Sequence, residues 1–206
     1  MNHKLNLALL LGLTVGLALP GLADNTIYGP SGLFRIPDAQ VLAPGGLVGS
    51  VYIAHDVANT AAATVGVIRR LELSPAWVNP RRGDAETIIS AKWQMWAEQG
   101  DRPAVALGVY DINDEINFTL YGVAQKSCTI GNTPVRVVAG FGENRSLVDG
   151  FFCGAELSLG KGISALVEYD GEDVNAGVRW PIPKQMVLTA GSVDGGLAVG
   201  LQYTVR

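Results

Sequence analysis

The stretch that decides the fold reads Ile163-Ser-Ala-Leu-Val-Glu168-Tyr-Asp170-Gly171-Glu-Asp173-Val-Asn175-Ala-Gly-Val-Arg179-Trp180. On both sides of Asp170-Gly171 the chemistry alternates residue by residue. Before it, Ile163, Ala165, Val167 and Tyr169 stand opposite Ser164, Leu166 and Glu168. After it, Val174, Ala176, Val178 and Trp180 stand opposite Asp173, Asn175, Gly177 and Arg179. Successive side chains of a strand point to opposite faces, so a period of two marks a strand with two unlike faces. Asp-Gly supplies the backbone freedom that a tight hairpin turn demands. The stretch therefore reads as a β-hairpin with one apolar face and one polar, small-residue face.

The same pattern spreads outward from this hairpin. Residues 151–158 set Phe151, Cys153, Ala155 and Leu157 against Phe152, Gly154, Glu156 and Ser158. Residues 89–95 set Ile89, Ala91, Trp93 and Met95 against Ser90, Lys92 and Gln94. The last segment alternates Leu197, Val199, Leu201, Tyr203 and Val205 with Ala198, Gly200, Gln202 and Thr204. Turn signals fall between such runs at Gly100-Asp101, Asn113-Asp114, Gly131-Asn132, Asp149-Gly150, Gly160-Lys161-Gly162 and Asp194-Gly195-Gly196. The spacing predicts strands at 46–55, 61–68, 71–78, 86–96, 103–111, 116–125, 134–143, 151–158, 162–169, 173–180, 185–193 and 196–205. Pro75 predicts a bent or short strand at 71–78. A long meander must close or protect its edges, and no helix-period segment offers cover. The expected fold is all-β: an antiparallel meander closed into a single barrel of about 10–12 strands.

Ahead of the barrel, Lys4 and the apolar run Leu5 to Leu19 precede Pro20-Gly21 and the small residues Gly21 and Ala23. This is the layout of an export signal, shorter than the roughly 20 residues of a spanning helix. Cleavage is expected after Ala23. The organisation expected is a signal peptide at 1–23, an extended lead-in or plug at 24–45, and a barrel domain at 46–206. Loss of Lys4 leaves a net charge one unit more negative than the full chain's −4. That mild acidity, with no basic run, argues against nucleic acid. Cys128 and Cys153 are the only cysteines. An oxidising compartment permits a bridge between them, and two small buried apolar residues is the other reading.

Which face is outside decides the compartment. In a soluble periplasmic barrel the apolar face lines an interior that binds a glycan or lipid. In an outer-membrane barrel it faces lipid, and the polar face fills the lumen. Three features favour the membrane. Charges fall within strands, and Glu156, Glu168, Asp173, Asn175, Arg136 and Arg179 form a candidate lumen charge cluster. The aromatics Trp93, Trp96, Tyr110, Tyr121, Tyr169, Trp180 and Tyr203 fall near strand ends, where interfacial girdles form. The end Gly200-Leu-Gln-Tyr203-Thr-Val205-Arg206 resembles the C-terminal signal of outer-membrane barrels, with Arg206 where an aromatic is usual.

Several blocks carry a family resemblance. Gly29-Pro-Ser-Gly32-Leu-Phe-Arg-Ile-Pro37-Asp-Ala-Gln-Val-Leu resembles the opening of YjbH-like proteins. Gly108-Val-Tyr-Asp111-Ile and Asp149-Gly-Phe-Phe-Cys-Gly154-Ala-Glu156 resemble the same family, as does the deciding hairpin, whose Glu-Tyr-Asp-Gly-x-Asp-x-Asn-x-Gly block is the most specific. The resemblance runs from about Gly29 to the C-terminus. It implies a non-enzymatic outer-membrane β-barrel associated with exopolysaccharide or capsule production and secretion. Its implied partners are outer-membrane lipid, and polysaccharide or other envelope secretion proteins.

No catalytic, cofactor or metal constellation emerges. Glu168, Asp170, Glu172, Asp173 and Asn175 crowd one turn, but calcium needs six or more placed oxygens and this is not a helix–loop–helix spacing. The better reading is a solvated turn plus lumen carboxylates pairing with arginines. His55 lacks a Gly-x-Ser-x-Gly partner motif and reads as a polar rim residue. Arg69-Arg70 and Arg81-Arg82, at the two ends of one strand, read as solvated turn charge, with acidic glycans or lipid phosphates as the alternative contact. Trp77, Trp93 and Trp96 read as girdle or core ahead of sugar-stacking platforms.

Overall fold

The computed structural model describes residues 24–143 and 147–205. The leader expected at 1–23 and the terminal Arg206 lie outside the described residues. Twelve strands follow in order: β1 (Leu47–Ala54), β2 (Ala58–Ile68), β3 (Leu71–Pro80), β4 (Glu86–Trp96), β5 (Ala104–Tyr110), β6 (Thr119–Ile130), β7 (Thr133–Gly142), β8 (Phe151–Gly160), β9 (Ile163–Tyr169), β10 (Val174–Ile182), β11 (Met186–Val193) and β12 (Gly196–Val205). Each pairs antiparallel with its neighbours in sequence. β1 then pairs with β12, from Leu47 opposite Val205 to Ala54 opposite Ala198, and closes the barrel. Closure leaves no strand edge unpaired, which is how an all-β meander avoids edge-to-edge association.

The expected strands and turns map closely onto these elements. The β11–β12 turn is Asp194-Gly195, with φ of 50° and 76°, the double positive-φ turn that suits a two-residue hairpin. The expectation that Pro75 shortens its strand is corrected. β3 runs ten residues straight through it, in register with β4, where Pro75 stands opposite Ile89. The β2–β3 ladder instead skips Ala63 and Thr64, because proline has no N–H to donate. Ser74 Oγ donates to Thr64 Oγ1 at 3.0 Å across that gap.

Alternation separates the two faces cleanly. Outward positions carry Val51, Ile53, Trp77, Trp93, Leu107, Leu120, Phe141, Phe151, Val174, Val178, Trp180, Leu197, Val199 and Tyr203, all exposed. Along the described strands, Lys126 near one end of β6 is the one charged residue at an outward register position. Inward positions carry Glu72, Ser74, Ser90, Lys92, Gln125, Glu168, Asn175, Arg179, Thr189 and Gln202, all buried. Two aromatics depart from the girdle expectation. Tyr110 and Tyr121 point inward, where their rings lie 5.1 Å apart and Tyr28 meets Tyr110 edge-on at 6.4 Å.

The two ends of the barrel differ. The end where β1 begins and β12 ends, called the terminal end below, has two-residue turns at 69–70, 131–132 and 161–162, a three-residue turn at 183–185 and a loop at 97–103. The far end carries an eight-residue loop at 111–118 and the connection from Gly142 to Phe151, with shorter connections at 55–57, 81–85, 170–173 and 194–195.

Residues 24–44 do not join the wall. They enter the lumen at the terminal end, where Asp24 meets Arg179. They reach the far end, where Arg35 pairs with Asp170 and Asp194 in the turns there. They then return, and Gly45 N donates to Gly66 O just before β1 begins. Isolated bridges Asn25–Ser31 and Gly32–Pro37 stiffen this luminal segment.

Candidate functional site in the barrel lumen

Twelve strands enclose more space than their own inward side chains fill, and the luminal segment occupies it. Buried backbone groups need partners, and those of the luminal segment find them partly within the segment, as in Ile27 N to Phe34 O, and partly on the wall. The charged side chains of the wall serve it in three groups.

At the far end, Glu168 of β9 accepts hydrogen bonds from the backbone N–H groups of Phe34 at 2.9 Å and Arg35 at 2.8 Å. Asn175 Nδ2 donates to Glu168 at 3.1 Å and to Asp170 at 3.0 Å, while its Oδ1 accepts from Asp194 N at 2.9 Å. Arg35 lies 2.9 Å from Asp170 and 2.7 Å from Asp194, and its guanidinium stands 5.9 Å from the Tyr28 ring centre. Burial pushes the Asp194 carboxyl above the usual range, and Arg35 opposes that rise.

On the β3–β4 side of the wall, Glu72 of β3 does the same for a second bend. It accepts from Ser31 N at 2.9 Å, from Ser31 Oγ at 2.8 Å and from Leu42 N at 3.0 Å. Lys92 of β4 is wholly buried, 3.2 Å from both Glu72 and Asp38, and donates to Ser31 O at 2.7 Å.

Toward the terminal end, Arg136 of β7 bridges Asp38, at 2.6 Å, and Glu156. Arg179 of β10 lies 3.2 Å from Glu156 and 3.3 Å from Asp24, and donates to the carbonyls of Gly32 at 2.8 Å and Leu33 at 2.9 Å. Ser164 also donates to Glu156. A cavity of about 620 Å³ adjoins this group, lined by Asp24, Arg136, Glu156 and Arg179 with Pro134, Pro181 and Val187.

Apolar packing seats the rest. The Phe34 ring lies against Gly177 and Gly191, where an added Cβ would stand 2.6–2.8 Å from it, so these positions are glycine because the ring needs their space. Tyr52 donates to Asn25 O at 2.9 Å, and Gln202 accepts from Asn25 N at 2.8 Å.

The expected charge cluster is therefore split. Glu156, Arg136 and Arg179 meet at the terminal end. Glu168 and Asn175 form a second group on the far side of the luminal segment. Asp173 joins neither: it is exposed in the β9–β10 turn, where its backbone N–H donates to Asp170 at 2.9 Å. The crowded carboxylates of that turn do not converge, because Glu168 serves the luminal backbone and Asp170 serves Arg35. His55 and Arg81 are exposed on the far rim, both against Asp56. Cys128 and Cys153 are free thiols. Sequence reasoning missed Asp24, Arg35, Asp38, Glu72 and Lys92 as members of the network. Glu72 and Lys92 carried a usable signal, since each is a charge within a strand, on the face opposite to that of its apolar neighbours.

No family model matches the chain, and no curated protein matches it. Among solved structures, it is similar to an outer membrane channel from Pseudomonas putida F1, at 15% identity and a TM-score of 0.39, over 81% of this chain and 97% of that one.

Proposed function

We propose that this chain is an outer-membrane β-barrel closed by its own luminal segment, serving without catalysis in the production or secretion of exopolysaccharide or capsule. The observation that carries the membrane reading is the direction of the two faces. An exterior of Val, Leu, Ile, Phe and Trp suits hydrocarbon, whereas water would drive those side chains together. An interior of paired charges needs no apolar ligand. The supporting features are twelve strands, an even number, and nine or more residues in eight of them, near the ~9–11 expected of a tilted spanning strand. Short turns at the terminal end and longer loops at the other match the usual asymmetry, with the terminal end in the periplasm. Lys126, near that end, reaches Glu98 at 3.1 Å and so keeps its charge off the apolar band.

The polysaccharide role rests on the sequence blocks Gly29 to Leu42 and Glu168 to Gly177, which resemble YjbH-like proteins. Residues of those blocks, among them Ser31, Arg35, Asp38, Glu168 and Asn175, help to lock the luminal segment to the wall, which supports reading the blocks as specifying a closed barrel. Polysaccharide or other envelope secretion proteins are the partners this reading implies.

The test is fractionation of cells expressing the full chain, with gel mobility before and after heating. The expected result is recovery with the outer membrane and a heat-dependent mobility shift. Recovery as a soluble periplasmic protein overturns the membrane reading and favours a glycan- or lipid-binding periplasmic barrel. Unchanged exopolysaccharide output from cells lacking the protein overturns the secretion role.

A further inference from the structure

Asp24 belongs to a chain of ion pairs whose charges do not balance. Arg179 links Asp24 to Glu156, Arg136 links Glu156 to Asp38, and Lys92 links Asp38 to Glu72. The network holds three cations and four carboxylates, so it is one positive charge short. Surplus charge in a mostly buried network is costly unless a counter-charge joins it, and Asp24, at 17% exposed, is the member with room beside it for one. Covalent geometry keeps the backbone nitrogen of Asp24 within about 5 Å of its own carboxylate. That carboxylate lines the cavity at the terminal end, beside Arg136, Glu156 and Arg179.

We propose that processing at the Ala23–Asp24 bond completes this network: the α-ammonium group freed at Asp24 is the missing fourth cation. A signal peptidase adds water across that peptide bond. The hydroxyl oxygen goes to the Ala23 carbonyl, which leaves as a carboxylate, and the Asp24 nitrogen departs as an amine. With an unperturbed pKa near ~8, that amine is protonated at neutral pH. A chain that continues ahead of Asp24 has a neutral amide nitrogen at the same place, and the network stays one charge short. Processing and closure of the barrel are thereby coupled through charge. This inference rests on the export part of the reading above, and on neither its sidedness nor its polysaccharide role.

The test uses the full chain expressed in a Gram-negative host and purified from the envelope. Intact mass is expected to match residues 24–206. Acetylation at pH 7 with N-hydroxysuccinimide acetate, read by peptide mass, is expected to modify the Asp24 amine about tenfold more slowly in the folded than in the heat-unfolded protein. Lys161 and Lys184, exposed in turns, serve as reactive controls. A mature chain that begins elsewhere, or an Asp24 amine that reacts equally fast in both states, overturns the proposal. A second variant carries one alanine inserted between Ala23 and Asp24, which displaces the ammonium by one residue. It is expected to fold but to lose its heat-resistant mobility at a lower temperature, and an unchanged temperature refutes the coupling. Fractionation of the same preparation separates the two readings. An outer-membrane protein with a freely reactive Asp24 sinks only this inference, and a soluble protein with a protected Asp24 sinks only the membrane placement.

Discussion

Glu168→Gln is expected to loosen the luminal segment while leaving the barrel wall intact. The carboxylate serves two short backbone donors, Phe34 N at 2.9 Å and Arg35 N at 2.8 Å, and the Asn175 amide at 3.1 Å. Glutamine keeps the volume but offers one acceptor oxygen, so one buried N–H loses its partner at a cost of about 1–3 kcal/mol. The surviving bond falls from a charged to a neutral acceptor, a further loss of about 1 kcal/mol. Relief of the buried charge offsets part of this, and the net expectation is about 2 kcal/mol. Glu168→Leu leaves both N–H groups unserved and the Asn175 amide with Asp170 alone, so about 3–6 kcal/mol is expected. The assay is denaturant unfolding in detergent micelles. It is paired with thiol labelling of Ser31→Cys, in a background where Cys128 and Cys153 are replaced by serine. The expected order is wild type most stable, then Gln, then Leu, with labelling of position 31 rising in the same order. Equal stability of all three, or a Leu variant as stable as wild type, refutes the idea that Glu168 holds the segment through its backbone.

Other perturbations test the remaining contacts. Lys92→Met leaves Asp38 and Glu72 buried without their shared cation, and about 3–5 kcal/mol of stability should vanish in the same unfolding assay. Gly200→Ala drives a methyl group into the Tyr52 ring, so a loss of about 1–3 kcal/mol is expected, whereas Gly49→Ala, with open space around it, should be close to neutral. In the loop at 97–103, burial raises the Glu98 carboxyl, but hydrogen bonds from Ser127 and Lys126 outweigh it and set the carboxyl below its ordinary range. A depressed folded value contributes stability that is present above the unfolded pKa and lost as pH falls through the folded one. Proteolysis within that loop should therefore rise on acidification through the carboxylate range in wild type and show no such step in Glu98→Gln.

The wall of this barrel was legible because its physics is local. Period-two alternation and Asp-Gly or Gly-Lys-Gly turns act over a few residues, so all twelve strands could be placed from sequence. Pro75 misled because proline removes one donor without forcing a strand to end, and β4 still pairs with its other side. Tyr110 and Tyr121 misled because nearness to a strand end does not fix a face. Tyr110 shares its face with Ala104, Ala106 and Gly108, the small-residue side, and Gly108 is what leaves room for the Tyr121 ring. The lumen was only half legible. Arg136, Glu156, Glu168, Asn175 and Arg179 stand out as polar residues on alternating strands. Arg35 and Asp38 lie in a segment with no period, and their partners are as far off in sequence as Asp194 and Arg136. Asp173 looked equivalent to Asn175 by alternation, yet it sits one step past the strand, where the turn delivers it to solvent.

The central claim, that the apolar face meets lipid, is tested most directly by the four tryptophans. Trp77, Trp93, Trp96 and Trp180 all point outward, each between 44% and 57% exposed. Reconstitution into vesicles of brominated phosphatidylcholine should quench their fluorescence strongly, and single-tryptophan variants should each be quenched. Emission that stays unquenched, with the protein free in solution beside the vesicles, would contradict the account and turn the search toward a soluble partner for that face.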